Sequence, residues 1–211
     1  CSRPPEVEDS LQQIESIRRQ GLLDDLPFHF ARFLAEKAES PSQALALATA
    51  LVSQAAAEGH VCLDLSRIAG RELWLRGERL ADKAPDLESW LWSLLDSGVV
   101  GQPGDYQPLI LDPAGRLYLH RYWAYERDLA GELRQRAKGL VEAVDLERLN
   151  AGLAYLFPAS GSEETDWQKL AAATAILKRL SIIAGGPGTG KTTTVTRILA
   201  LLRQQPDGDS L

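Results

Sequence analysis
Gly185, Gly186, Pro187, Gly188, Thr189, Gly190, Lys191 and Thr192 form an unbroken run. The run fills the pattern of a glycine, four residues and then Gly-Lys-Ser/Thr, and each residue type has a mechanical use. The glycines at 185, 186, 188 and 190 let the backbone adopt conformations that a side chain would obstruct, so successive amide N–H groups can turn inward around phosphate oxygens. Lys191 carries a mobile positive charge to the outer phosphates and is the candidate catalytic residue. The Thr192 hydroxyl can coordinate Mg2+ that bridges the same phosphates, and Thr193 offers a second hydroxyl. The chemistry these residues suit is the binding of a nucleoside triphosphate such as ATP, ready for phosphoryl transfer.

Such a loop works only when a strand delivers it and a helix leaves it. The apolar run at 180–184 fits a buried parallel strand, and Ile198, Leu199, Leu201 and Leu202 fit a helix packed on that sheet. A helix beginning near Lys191 adds the positive end of its dipole to the same spot. Four constrained positions match by accident in on the order of one chain per hundred of this size. The flanking strand and helix make a ligand-free Gly-rich turn the weaker reading.

The 211 residues, 45% of them hydrophobic, are enough for one good-sized core or two smaller ones. No apolar run approaches the roughly 18 residues that cross a bilayer, and no targeting segment opens the chain, so the expectation is a soluble, cytoplasmic protein with no membrane partner. Cys1 and Cys62, the two cysteines, match neither a disulfide framework nor a metal site with the histidines. Charge is uneven: residues 1–110 carry −7 and residues 111–211 carry +1. An acidic first half repels phosphate backbones and fits protein docking better than DNA binding, while an ordinary acidic surface stays open as the plainer reading.

Periodicity supplies the remaining elements. Leu11, Ile14 and Ile17 keep helical spacing up to Gly21, residues 26–38 read as a second helix, and Leu45, Ala48, Leu51 and Val52 stripe a third that Gly59 closes. Residues 60–65 alternate as a short strand, with Cys62 as strand packing. Residues 86–96 read as a helix carrying Leu87, Trp90, Leu91, Leu94 and Leu95. Residues 99–100, 108–111 and 117–120 then read as a small antiparallel meander. Tyr122, Tyr125, Leu129 and Leu133 mark a solvated, mildly basic helix. A further apolar stretch covers 146–157, and 158–164 reads as a loop.

Gln168 begins the helix that leads into the candidate strand. In superfamily-one DNA helicases, which this stretch resembles, a glutamine in that position contacts adenine. Thr165 and Gln168 also fit a capping box, in which the glutamine reaches back to a backbone N–H; both roles stay open. Read together, Trp167-Gln-Lys-Leu-Ala-Ala-Ala and Ser181-Ile-Ile-Ala-Gly-Gly-Pro-Gly-Thr-Gly-Lys-Thr-Thr-Thr resemble the RecD family, the alpha subunits of bacterial exodeoxyribonuclease V (RecBCD). His60-Val-Cys-Leu-Asp-Leu and the stretch 116–126 are similar to that family's N-terminal region.

The resemblance implies an ATP- and Mg2+-dependent motor that moves 5′ to 3′ on single-stranded DNA, in a bacterial cytoplasmic complex serving double-strand-break repair and recombination. It implies RecB- and RecC-like partners, with the N-terminal domain docked on the RecC-like one. The expected fold is α/β: a mostly helical N-terminal domain with a small β-meander at 1–120, connecting helices and a loop at 121–165, and the start of a RecA-like P-loop domain with a parallel sheet at 166–211. The absence of methionine and the end at Leu211 lead to the expectation of a piece of a longer chain. The remaining motor residues would lie beyond Leu211, and the piece alone would not turn nucleotide over. A different P-loop ATPase and a non-enzymatic docking fragment are the competing expectations.

Overall fold
The computed structural model describes residues 5–141, 143–158 and 165–206, and the chain divides into two compact units, Cys1–Arg127 and Asp128–Leu211. The first opens with helices α1 (Pro5–Arg19), α2 (Asp25–Lys37) and α3 (Gln43–Ala57). Leu11, Ile14 and Ile17 are buried as their spacing predicts. Gly21, at φ +75°, ends α1 because the Leu22 N–H then donates to the Ile17 carbonyl and the Gly21 N–H to Arg18. Ser42 caps α3 by accepting from the Leu45 N–H at 3.1 Å. Instead of one buried stripe, α3 buries every residue from 45 to 54. It is the central helix, and its small side chains let α1, α2 and α5 (Leu87–Asp96) approach from different sides.

The strands depart from the expected meander. β1 (Leu63–Asp64), β4 (Val100–Gly101), β5 (Leu109–Leu111) and β6 (Arg116–Leu119) form one sheet in the order β1-β6-β5-β4. β6 pairs antiparallel with β1 and β5, but β4 runs parallel to β5, with Val100 opposite Leu109. The cause is the turn at 102–105, where the Gln102 N–H donates to the Asp105 carboxylate at 2.8 Å and Gly104 takes φ +111°. The chain is carried back beside the start of β4 and does not fold over as a hairpin. The strand expected at 60–65 shrinks to two residues, because the Asp64 carboxylate accepts from the Ser66 N–H at 3.1 Å and starts the short helix α4 (Leu65–Ile68).

Sequence reasoning assigned nothing to residues 66–85, where a second sheet lies. β2 (Glu72–Leu75) and β3 (Glu78–Lys83) form a hairpin whose turn, Arg76-Gly77, has positive φ at both positions, 52° and 82°. From that turn Arg76 donates to the Gly21 carbonyl at 3.1 Å and to the Asp24 carboxylate at 2.6 Å, tying the hairpin to the α1–α2 connection.

Helix α6 (His120–Lys138) has no buried residue, as a solvated helix should. The second unit then contains α7 (Leu146–Leu156), α8 (Trp167–Leu177) and α9 (Lys191–Arg203). Leu149, Leu153, Phe157, Ala172, Ile176, Ile198 and Leu201 are its core. Gly152 lets α7 approach α9 closely, since a Cβ there would lie 2.6 Å from Leu201 Cδ2. The loop expected at 158–164 falls almost wholly outside the described residues. Among the described residues no helix is long and apolar enough to cross a membrane. Helices, strands and a parallel strand pair bear out the α/β class.

Candidate functional site
Helices α8 and α9 converge on the loop at 185–190. Asp166 caps α8 by accepting from the Lys169 N–H at 3.0 Å. The capping box read from Thr165 and Gln168 is therefore not formed: Asp166 supplies the cap, and Gln168 turns the other way, its Nε2 donating to the Thr189 carbonyl at 3.3 Å. α9 starts at Lys191 with Gly190 at its N-cap and no side-chain cap. The first amides of a helix have no intrahelical acceptor, so those at the start of α9 can serve an anion at the positive end of the helix dipole. The first helical bond of α9 runs from the Thr194 N–H to the Gly190 carbonyl at 2.9 Å.

Two of the loop glycines carry a backbone requirement that can be read directly. Gly188 and Gly190 both take φ +77°, the left-handed region that glycine enters without strain. Packing adds to this at Gly190, where a Cβ would meet Gln168 Nε2 at 2.6 Å, and at Gly185 a Cβ would meet Thr189 Oγ1 at 2.6 Å, so in either case the neighbouring side chain would have to turn aside. Thr189 Oγ1 donates to the Gly186 carbonyl at 2.9 Å, closing the bend around Pro187. The Lys191 ammonium donates to the carbonyls of Gly185 and Gly186 at 2.7 and 2.6 Å. Thr192 and Thr193 are exposed on the first turn of α9. All the residues singled out in sequence, Gln168 and 185–193, thus meet at one end of the α8–α9 pair.

The segment that delivers the loop differs from expectation. Residues 180–184 form no ladder. An isolated bridge between Leu140 and Lys178 precedes them, with the Val141 N–H donating to the Leu177 carbonyl at 3.0 Å. Ile182 is 84% exposed and Ile183 packs on the core of the unit. A strand needs neighbours to pair its amides and carbonyls, and among the described residues this segment has none. It borders an open groove of about 520 Å³ lined by Trp167, Leu170, Thr174, Leu180 and Ile182.

Arg197 and Phe157 escaped the sequence reading. Arg197 NH1 lies 3.5 Å from Gln168 Oε1, and its guanidinium stands 4.7 Å from the centroid of the Phe157 ring. The available signal was helical spacing: 190, 194 and 197 share a face of α9, and Thr194 on that face is buried. An arginine there is half-buried against the site, and a long charged side chain in such a place needs partners.

Comparison with known proteins adds two matches. Residues 19–118 match the family described as RecBCD enzyme subunit RecD, N-terminal domain, and residues 168–209 match an AAA domain, which places the loop in a nucleotide-binding domain. A RecBCD enzyme subunit RecD of Mycolicibacterium smegmatis is 36% identical over 189 residues, covering 87% of this chain and 30% of the relative. Those of Mycobacterium tuberculosis and Haemophilus influenzae are 33% and 30% identical, each over 92% of this chain and 31% and 33% of the relative. The chain spans about a third of the length of these relatives.

Proposed function
Because the chain belongs to the RecD family over the stretch that it spans, we propose that it is part of an ATP-dependent 5′–3′ DNA helicase subunit of an exodeoxyribonuclease V (RecBCD) complex, acting in double-strand-break repair and recombination. The observation that carries this reading is the meeting of Gln168 with a complete phosphate-binding loop at the head of α9, behind a RecD N-terminal domain.

In this reading the amides at 185–190 and at the start of α9 surround the phosphates of ATP. Lys191 exchanges its two carbonyl acceptors for phosphate oxygens, stabilising the negative charge that builds on the leaving diphosphate as the terminal phosphoryl group transfers. Thr192 is the residue that would hold Mg2+, with Thr193 as a further hydroxyl, and the ion would neutralise charge across the outer phosphates. An exposed hydroxyl beside the lysine, on the first turn of α9, fits that ligand role. Gln168 contacts the adenine base.

Residues 1–120 serve as the domain that docks on a RecC-like subunit, 121–165 connect, and 166–211 begin the motor; the full-length protein works with RecB- and RecC-like partners on single-stranded DNA. The net charge of −7 over residues 1–110 supports protein docking over DNA contact in the first of these. The test is the full-length protein assembled with RecB- and RecC-like subunits. DNA-stimulated ATP hydrolysis and unwinding that starts from a 5′ single-stranded tail are expected. Assembly without either activity would remove the motor assignment, and a failure of residues 1–120 to bind the RecC-like subunit would remove the docking assignment.

A further inference from the structure
An open groove of about 560 Å³ lies in the first unit, between the start of α2, the end of α3 and the start of α6. Leu26, Phe30, Ala56, Ala57, Pro108 and Leu119 make its walls apolar, and Leu26, one turn before Phe30, is 72% exposed. Polar groups at fixed places set it apart from a bare apolar face. Ser53 lines the groove at 8% exposure, and its hydroxyl has no partner among the described residues. Other helical hydroxyls of the chain, those of Thr174, Thr194 and Thr196, return to the carbonyl four residues back. Arg121, also on the groove, donates to the Tyr122 hydroxyl at 3.1 Å and stacks 4.7 Å from that ring's centre, but it meets no carboxylate among the described residues. Arg76 and Arg116 of the same unit each hold one at 2.6 Å. No acidic residue lines the groove. At the start of α6 the His120 N–H donates to the Pro108 carbonyl at 2.9 Å, whereas those of Arg121, Tyr122 and Trp123 have no acceptor within the helix and none around it among the described residues.

We propose that the subunit on which this unit docks inserts one large apolar side chain into the groove, from a segment whose neighbouring carboxylate pairs with Arg121. The inference rests on the reading of residues 1–120 as the docking domain. A guanidinium has only donors, and the free amides at the start of α6 add the positive end of its dipole, so the chemistry beside the apolar walls suits an anion. Ser53 offers the same segment a hydroxyl, and filling that unmade bond adds to the apolar contact. A large side chain in an apolar pocket with a polar rim is the kind of anchor that carries most of the energy of an interface. The surrounding charge decides which anion enters. Residues 1–110 carry −7, which repels the unbroken row of phosphates in a nucleic acid but tolerates a single carboxylate placed at Arg121. One acceptable place for an acidic residue on an acidic surface also fixes the register of docking, because a shifted segment would set its carboxylate against like charge.

The test uses the full-length protein assembled with RecB- and RecC-like subunits. A photoreactive benzoylphenylalanine in place of Leu26 crosslinks to the RecC-like subunit, at a segment that carries a large apolar residue within a few positions of an Asp or Glu. Arg121→Glu raises the Kd for the isolated RecC-like subunit roughly ten- to a hundredfold, and replacing the segment's carboxylate by arginine recovers most of that loss. Ala57→Trp, which fills the groove from the last residue of α3, weakens binding by about tenfold or more, and Ser53→Ala by roughly three- to tenfold. Arg121 and Ala57 are both exposed, so thermal melting of their variants matches that of the unaltered protein. If Ala57→Trp does not fold, Arg121→Glu and its charge-reversed partner carry the test. A crosslink to the RecB-like subunit or within the chain itself, no crosslink in an assembled complex, or an unchanged Kd in Arg121→Glu overturns the proposal and leaves the docking reading standing. Failure of the unaltered protein to bind the RecC-like subunit removes both.

Discussion

The Lys191 ammonium lies 2.7 Å from the carbonyl oxygen of Gly185, six residues before it, so the lysine arches back across the mouth of its own loop. Its position is set by backbone oxygens that belong to the loop and not to a distant element. Replacing it should therefore leave the fold intact and remove the charge that meets the phosphates. Lys191→Ala in the full-length protein is expected to reduce DNA-stimulated ATP hydrolysis to background with an unchanged melting temperature. Retained turnover would contradict the role given to it.

Gly188 and Gly190 share a φ of +77° but differ in surroundings. Alanine at either pays about 1–2 kcal/mol for the left-handed backbone. Only at Gly190 does the new Cβ also strike Gln168 Nε2, at 2.6 Å, while at Gly188 it meets open space. Gly190→Ala should lower the melting temperature more and raise the KM for ATP more than Gly188→Ala. Equal effects would mean that Gln168 does not lie over the loop.

Thr192→Val keeps the shape of the side chain and removes the oxygen that could reach Mg2+. With Thr192 exposed at the start of α9, no packing is lost. Hydrolysis by the variant should require higher Mg2+, visible as a rightward shift in a magnesium titration at fixed ATP. An unshifted titration would transfer the metal role to another residue.

Two tryptophans two residues apart on α5 should respond very differently. Trp90 is fully buried and its Nε1 donates to the Ala44 carbonyl at 2.9 Å, whereas Trp92 is 71% exposed. Trp90→Ala is expected to destabilise the first unit by about 3–5 kcal/mol, and Trp92→Ala by less than about 0.5 kcal/mol. Urea unfolding followed by circular dichroism measures both.

Acid should loosen the tie between the hairpin turn and the α1–α2 connection. The Arg76 guanidinium, with help from the Gln54 amide, holds the Asp24 carboxyl below its ordinary value. A carboxyl lowered in the folded state contributes stability above its unfolded pKa of about 3.9, and that contribution is lost as pH falls through the lowered value. Asp24→Asn should thus lower the urea midpoint at pH 7 and narrow the difference between pH 7 and pH 3. A difference as large as in the unaltered protein would assign the acid sensitivity elsewhere.

The bend at 185–190 and the helix after it were legible in the residues, because their geometry is local. Glycines permit the backbone bends, the lysine reaches back over six positions, and a helix follows at once. Helices α1, α2, α3 and α5 were legible for a similar reason: their apolar periods, caps and glycine stops lie within a few residues of one another. The α/β class, and the RecD resemblance read from 167–173, 181–194, 60–65 and 116–126, were borne out by the comparisons.

Strand pairing was not legible in the same way. Whether β4 lies parallel or antiparallel to β5 depends on a turn at 102–105 and on which edge of a neighbour is free, and the run at 180–184 shows that an apolar segment becomes a strand only when partners reach its amides. The Arg76 clamp joins residues separated by more than fifty positions, and the Arg197–Gln168 contact joins two helices. Short-range patterns in a chain encode torsion preferences and the face an element buries. Which oxygen an arginine finds is set by the packing that brings distant residues together.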